Sequence, residues 1–338
     1  MATLGTLGKV TLIDIAKSMG PDGKILKVAE LLTQSNEILY DMPWKEGNMP
    51  TGHKAAIRTG LPTAIWRQFY QGVPPSKSQR AQITDAVAML ETRSEVDKDE
   101  AELNGNLEAF RLSEAVAFVE GLNQTMAQAL IYGNQAVNPE QFNGLAPRFS
   151  AIVGAGNAQN VIDAGGLGSV NTSIYLVVWG ENTVTGIYPK GSTAGLTHED
   201  LGVLDAFDGN NARYRAYADR WSWKCGLHVK DWRYVVRVCN IDVTNLLAES
   251  NAADLTKLLV KALARIPFPG MGNPVFYANR TVKEMLSIQA LNKSQNALSI
   301  IEALRQFGGV DVSIKELKFL GVPIRTVDRI LNTEARVI

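Results

Sequence analysis

The chain has 338 residues, 46% hydrophobic and 20% charged, with 34 basic side chains against 34 acidic ones. This composition excludes a disordered chain, and the length exceeds one ordinary core and points to about two domains. The zero balance argues against a protein that coats nucleic acid, since such proteins carry a basic excess. It also leaves self-association unopposed by long-range repulsion.

No apolar run of about 18 residues is available to span a membrane. Met1 to Lys17 lacks the pattern of a signal peptide, and two cysteines, Cys225 and Cys239, are too few for a disulfide framework. A reducing, cytoplasmic origin is the expectation. In chain order, residues 1–23 read as an arm punctuated by Gly5, Gly8, Gly20, Pro21 and Gly23, with a short helix possible only at Val10 to Met19. A weak helical pattern follows at Gly23 to Leu39. Tyr40 to Arg80 is broken by five prolines and four glycines, with short β-favouring pieces at Ile38–Trp44, Ala55–Thr59 and Ala64–Tyr70. Forty such residues make no core alone, and a connection this long is functional or pinned by another chain.

The clearest signal lies between Asn106 and Gly133. Leu112, Ala115, Val116, Val119, Leu122, Met126, Ala129 and Leu130 recur at three- and four-residue steps along one helical face. Glu102, Glu108 and Glu114 sit near its start, and Gly133-Asn134 stands where a helix stops. A turn-rich segment, Pro139 to Leu145, and a glycine-rich one, Gly154 to Gly168, come next. Strands are expected at Ser173–Trp179, Thr183–Tyr188, Ala212–Lys224 and Gly226–Asn240. In the last, Trp232, Tyr234, Val236 and Val238 alternate with Arg233, Val235 and Arg237. Helices are expected at 253–265, stopped by Pro267, and at 281–291, with a strand at Asn273–Ala278 between them. Helices and antiparallel strands mix without βαβ regularity, so the fold class is α+β.

Few residues suggest chemistry. Gly154-Ala155-Gly156 begins like a dinucleotide-binding turn, but Gln159 replaces the third glycine and no helix of useful length follows, so a loop is expected. His198-Glu199-Asp200 places an imidazole beside two carboxylates. Consecutive residues diverge, and Thr197 before them suggests a helix N-cap rather than a metal site. Cys225 and Cys239 could face each other on adjacent strands, as buried thiols without catalytic partners. From Arg213 to Lys224 aromatics and bases interleave, as on a single-strand-binding platform. Strand alternation instead puts Tyr214, Ala216 and Ala218 on a dry face and Arg213, Arg215, Tyr217 and Asp219 on a wet one. Neither a GxSxG elbow nor an HExxH motif occurs, so no catalytic residue, cofactor or metal is expected.

The arm, the Pro/Gly-rich extended segment, the long helix and Phe142-Asn143-Gly144-Leu145 together resemble the major capsid proteins of tailed double-stranded-DNA bacteriophages, those of short-tailed phages most closely. Glu46-Gly47-Asn48-Met49-Pro50-Thr51-Gly52-His53, Gly60-Leu61-Pro62-Thr63, Trp66-Arg67 and Gly72-Val73-Pro74 carry the resemblance. Val178-Trp179-Gly180, Ile187-Tyr188-Pro189-Lys190-Gly191 and Val236 to Asp242 extend it over nearly the whole chain. It implies the Hong Kong 97 phage-like capsid fold: an N-terminal arm at 1–35, an extended loop at 36–80, a peripheral domain at 81–240 with a spine helix at 106–133, and an axial domain at 241–338. The strand pattern here precedes the axial helices, whereas the family's common order has it after them, so rewired connectivity is implied.

The same resemblance implies a non-enzymatic subunit that assembles as pentamers and hexamers into an icosahedral shell around double-stranded DNA, which it touches weakly and without specificity. Portal and scaffolding proteins would be partners, no membrane would be involved, and the virion, built in the host cytoplasm, would be its location. Trp44, Lys45, Glu46, His53, Lys54 and Arg58 of the extended loop are expected to contact neighbouring subunits, with Trp66, Phe69 and Tyr70 anchoring the loop's base. Some relatives cross-link a loop lysine to a neighbour's asparagine. Lys45, Lys54 and Lys77 are available, but no motif selects one, so noncovalent contacts between subunits are the expectation, with a separate cement protein as an optional reinforcement. Deletion of about residues 45–60 should leave a folded protein unable to form shells. The rival readings are a nucleic-acid-binding module on strands 213–237 and a nucleotide-dependent enzyme using Gly154 to Gly168.

Overall fold

The computed structural model describes residues 34–338 apart from 103–106, 155, 209, 293–297 and 308–309. The predicted arm, including the helical patterns at Val10–Met19 and most of Gly23–Leu39, lies outside the described residues.

After a single turn α1 (Ile38–Asp41) come the short strand β1 (Trp44–Glu46) and an antiparallel hairpin of β2 (Gly52–Gly60) and β3 (Gln79–Ala86). Strand β4 (Ala88–Asp97), helix α2 (Lys98–Glu102) and the long helix α3 (Leu107–Tyr132) follow. Next are α4 (Leu145–Arg148), β5 (Val161–Asp163), β6 (Asn171–Trp179), β7 (Val184–Tyr188), β8 (Leu196–Phe207), β9 (Arg213–Val229) and β10 (Val235–Asp242). The chain continues through α5 (Val243–Leu247), α6 (Leu255–Arg265), β11 (Asn273–Ala278), α7 (Arg280–Asn292), β12 (Leu298–Phe307), β13 (Val310–Phe319) and β14 (Val322–Thr326).

The described residues form two compact units. The smaller takes 91–122 and 197–222, and the larger takes 34–90, 123–196 and 223–338. In the larger unit the sheet runs β12-β13-β14-β11-β6-β7-β9, with β10 and β5 added beside β6 and β1 beside β7. It is mixed rather than antiparallel: β6 with β7, β1 with β7, β5 with β10 and β11 with β14 are parallel pairs. Every residue of β6 is buried. Its Tyr175, Val177 and Trp179 pack with Met126, Leu130 and Phe149, while Ile174, Leu176 and Val178 pack with Leu258, Leu259, Val282 and Phe319. A strand covered on both faces reads as a continuous apolar run, which is why no alternation was visible there.

The predicted boundary at 240/241 does not divide the structure, because β10 and β6 share a sheet and a core with β11, α6 and α7. The helix predicted at 253–265 forms at Leu255–Arg265, with the Asp254 carboxylate accepting the Lys257 backbone N–H at 3.2 Å as its N-cap. Of the apolar face predicted for the long helix, Leu122, Met126 and Leu130 are buried while Leu112, Val116 and Val119 stay exposed. The hairpin β12–β13 had no counterpart in the sequence reading, although Gly308-Gly309 between two apolar runs is a hairpin signal.

Two strand assignments change. Ala212–Lys224 and the start of Gly226–Asn240 are one strand, β9, which passes through Gly226 without a break. Trp232–Tyr234 form a single 3-10 turn, so the predicted alternation begins only at Val235. Arg237, set with Arg233 and Val235 in the predicted alternation, is buried, and Asp219, predicted on a wet face, lies inside as well.

Candidate functional site

The irregular 36–80 segment folds into two parts with different physics. Its first part is fastened to the chain's own sheet. Trp44, Lys45 and Glu46 form β1, which pairs in parallel with Gly186, Ile187 and Tyr188. The Trp44 ring lies 6.0 Å from that of Trp223. Lys45 bonds Glu181, and the Glu46 carboxylate accepts the Gly191 N–H at 2.8 Å. These three residues, expected at contacts with neighbouring subunits, are engaged within the molecule.

The second part is the β2–β3 hairpin. On β2, His53, Ala55 and Ile57 are half-buried while Lys54, Ala56 and Arg58 are exposed, the period-2 pattern of a strand with one covered face. Beyond Gly60 everything through Lys77 is exposed. Ala64–Tyr70, predicted as a strand, has no strand partner. Trp66, Phe69 and Tyr70, expected to anchor the base, stand at the far end with relative exposures of 101%, 93% and 107%. The reason is topological: the chain turns back only at Gln79, whose partner is Gly60, so residues between them project past the paired strands.

The root of the hairpin is held by Asp85, the register partner of His53. Its carboxylate accepts from Arg148 Nη2 at 2.7 Å, His228 Nδ1 at 2.7 Å and the Val229 N–H at 3.2 Å. Burial pulls the Asp85 pKa upward, but the His228 hydrogen bond and the Arg148 guanidinium outweigh it and leave the carboxyl below its ordinary value. Arg148 also donates to the carbonyls of Asn143 and Leu227. The His53 ring stands edge-on to His228, centroids 4.6 Å apart, and its Nδ1 accepts the Asn48 backbone N–H at 3.3 Å. Burial, then His228 and Lys45, lower the His53 pKa, with Lys230 adding to them and Asp85 opposing. Two glycines allow the close approach here. A Cβ on Gly52 would lie 2.2 Å from the Asp85 carbonyl oxygen, and one on Gly226 would lie 2.4 Å from that of Ala86.

Farther out, Lys54 is tied by its backbone to the Asn48 side chain, at 2.7 and 2.8 Å. Arg58 lines an open cleft of about 640 Å³ with Lys230, Trp232 and Arg233.

The other candidates resolve differently. His198, Glu199 and Asp200 lie on β8, not at a helix N-cap. His198 Nε2 meets Asp219 at 2.9 Å, and Arg111 bridges Asp219 and Asp200 at 2.7 and 2.9 Å. Trp221 is stacked by Phe118 at 5.5 Å and by His198 at 5.2 Å. Alternation on β8 puts residues i and i+2 on one side, so His198 and Asp200 do share a face, linked through Asp219 and Arg111. Among the described residues no group of three or more His, Cys, Asp or Glu could hold a metal ion.

The arginines of 213–237 each have a carboxylate partner within the chain. Arg213 and Arg215 face Asp205, Arg220 pairs with Glu91 and Glu199, and Arg233 pairs with Asp231. Gly154–Gly168 contains a 3-10 turn at Gly156–Asn160, and the Asn160 amide donates to the carbonyls of Trp232, Arg233 and Val235. Cys225 and Cys239 are free, buried and on strands that do not pair, since β10 lies beside β5 and β6. Burial raises both thiols, Cys239 to about 11.

Sequence reasoning missed a second polar cluster, which fastens the C-terminal segment. Glu334, 5% exposed, accepts from Tyr132, Ser173 and Arg237, the last at 2.9 Å. Asn240 exchanges hydrogen bonds of 2.9 and 2.8 Å with the Val337 backbone. These partners lie 97 to 202 positions apart, beyond the reach of any local pattern.

A family model described as major capsid protein GP7 matches residues 20–338. Among solved structures, the near-atomic structure of bacteriophage Epsilon15 is similar at 38% identity and a TM-score of 0.75, covering 100% of this chain and 99% of that one. The capsid of the native GTA particle matches at 11% identity over 68% of this chain and 99% of that one, with a TM-score of 0.46, and no conclusion rests on it. No curated protein matches the chain.

Proposed function

The chain belongs to the GP7 family of major capsid proteins, with the α+β Hong Kong 97 phage-like capsid fold, and from that premise we propose how it closes a shell. The protein is a structural subunit of a phage capsid, not an enzyme. In the proposed assembly, copies group as pentamers and hexamers of an icosahedral shell around double-stranded DNA, with a portal and a scaffolding protein as further partners. Assembly takes place in the host cytoplasm. The projecting hairpin of each copy reaches over a neighbour, and Lys54, Arg58, Trp66, Phe69 and Tyr70 make the contacts. The axial and peripheral roles implied for 241–338 and 81–240 are retained only as regions, since one sheet joins them.

One observation supports this reading above the others. Residues 61–77 are wholly exposed and contain Leu61, Ile65, Trp66, Phe69, Tyr70 and Val73. An apolar surface of this kind on a monomer marks an interaction site. A two-stranded hairpin is marginal in water by itself, and a second copy covers both deficits.

The decisive variant removes residues 61–78 and joins Gly60 to Gln79 through a short turn, leaving the paired strands intact. Deletion of 45–60 is the poorer choice, because it takes away most of β1 and breaks the pairing with β7. The 61–78 variant is expected to melt with the wild type and to form no closed shells by electron microscopy. Normal shells from it would overturn the proposal.

A further inference from the structure

The larger unit carries an apolar dimple of about 150 Å³ between β4 and the C-terminal half of α3, lined by Met89, Met126, Ala129, Phe142 and Cys225 with Glu140 at its edge. We propose that this dimple receives the Phe69 ring of a second copy of the chain, with Arg67 of that copy pairing with Glu140. The inference rests on the shell reading above and names the receiving surface that the reading leaves open.

Three observations converge on a second copy as the occupant. The first is volume. An apolar cavity of about 150 Å³ accommodates one benzene ring, which matches a phenyl group and is too small for an indole with its neighbours. The second is chemistry. Met89 and Met126 present flexible, polarisable thioethers, which adapt to an aromatic ring. Met89 is 75% exposed, an outlay of apolar surface that the free subunit leaves uncovered.

Charge is the third. Arg67 lies two residues before Phe69 in the exposed segment, and Glu140 is exposed at the dimple. Among the described residues neither forms an ion pair. Donor and acceptor therefore sit on the same chain, each lacking what the other offers. Two copies satisfy both, and the contact repeats from copy to copy because every subunit has one ring and one dimple.

Other candidates carry less. The cleft lined by Arg58, Lys230 and Arg233 has three cations but nothing to identify an anion, and the Arg111–Asp219–His198 cluster is already satisfied within its own unit.

Two variants test the contact, Phe69→Cys and Met89→Cys, each made in a Cys225→Ala background because the Cys225 thiol itself lines the dimple, expressed separately and mixed under the conditions in which that background forms shells. With copper-phenanthroline as oxidant, disulfide-linked dimers are expected on non-reducing gels from mixed shells and not from either variant alone. Mixed shells without the cross-link overturn the inference while leaving the shell reading intact. Failure of the wild type itself to form shells would count against the shell reading instead. A second pair keeps the test open should Phe69→Cys not assemble. Arg67→Glu and Glu140→Arg change only exposed side chains, so the fold is retained. Each alone is expected to raise the subunit concentration needed for shells by about tenfold, and the two combined in one chain to restore it. No recovery in the double variant overturns the pairing.

Discussion

Replacing Asp85 with Asn tests whether the hairpin is rooted by charge. The substitution keeps the shape of the side chain, so packing changes little. An amide in the place of the carboxylate can still accept from Arg148, but its NH₂ group then faces the Val229 N–H and His228 Nδ1, both 3.2 Å or less from the original oxygen. His228 can change tautomer and accept instead. The Val229 N–H cannot. A buried orphaned donor costs about 1–3 kcal/mol, and the charge-assisted bond from Arg148 becomes a neutral one, a loss of about 1–2 kcal/mol.

Arg148 keeps the carbonyls of Asn143 and Leu227 as acceptors, which holds the total near the lower end of the range for breaking a buried ion pair, about 3–5 kcal/mol. At about 2 °C per kcal/mol for a chain of this size, the melting temperature of the dispersed subunit should fall by about 6 °C at neutral pH. Because the folded Asp85 pKa lies below its ordinary value of 3.8, its stabilisation is present above pH 3.8 and lost as pH falls through the lowered value. The penalty of Asp85→Asn should therefore shrink in strong acid. Scanning calorimetry at pH 7 reads the first effect, and a shift below about 2 °C would refute the reasoning.

Two further expectations concern other buried groups. Arg237→Met removes the cation from a Glu334 that is 5% exposed, leaving it with hydroxyl donors only; the cost should be about 3–5 kcal/mol in urea midpoint terms, and Arg237→Met with Glu334→Leu should recover most of it. Equal destabilisation of the single and double variants would contradict an ion-pair role. His53 is a base whose folded pKa lies below 6.5, so its contribution is complete above pH 6.5 and lost as pH falls through the lowered value. The melting difference between wild type and His53→Gln should narrow from pH 7.5 to pH 5. A difference independent of pH would exclude protonation at the hairpin root.

The sequence by itself determined the elements whose signals are local. The three- and four-residue spacing placed α3 within one residue at each end, the run before Pro267 gave α6, and Asn273–Ala278 emerged as β11 unchanged. The family resemblance rested on short motifs and held over nearly the whole chain. It also directed attention to the extended loop, because breakers at short intervals deny a segment its own core.

Tertiary structure decided what depends on partners far along the chain. The apolar run of β6 records that both of its faces are covered, but which helices cover them is decided by segments far along the chain. Gly226 marks no strand break but a position within β9 where the Ala86 carbonyl leaves no room for a Cβ, a reason invisible beside Cys225. Arginines at 213–233 read as a basic platform until Asp205, Glu91, Glu199 and Asp231 are seen against them. The loop's aromatics looked like an anchor in sequence and stand at its tip in space, since only the strand register decides where the chain turns back. Local free-energy preferences act over a few residues and are written in sequence; burial and ion pairing are set by which distant segments meet, and that is a property of the folded chain.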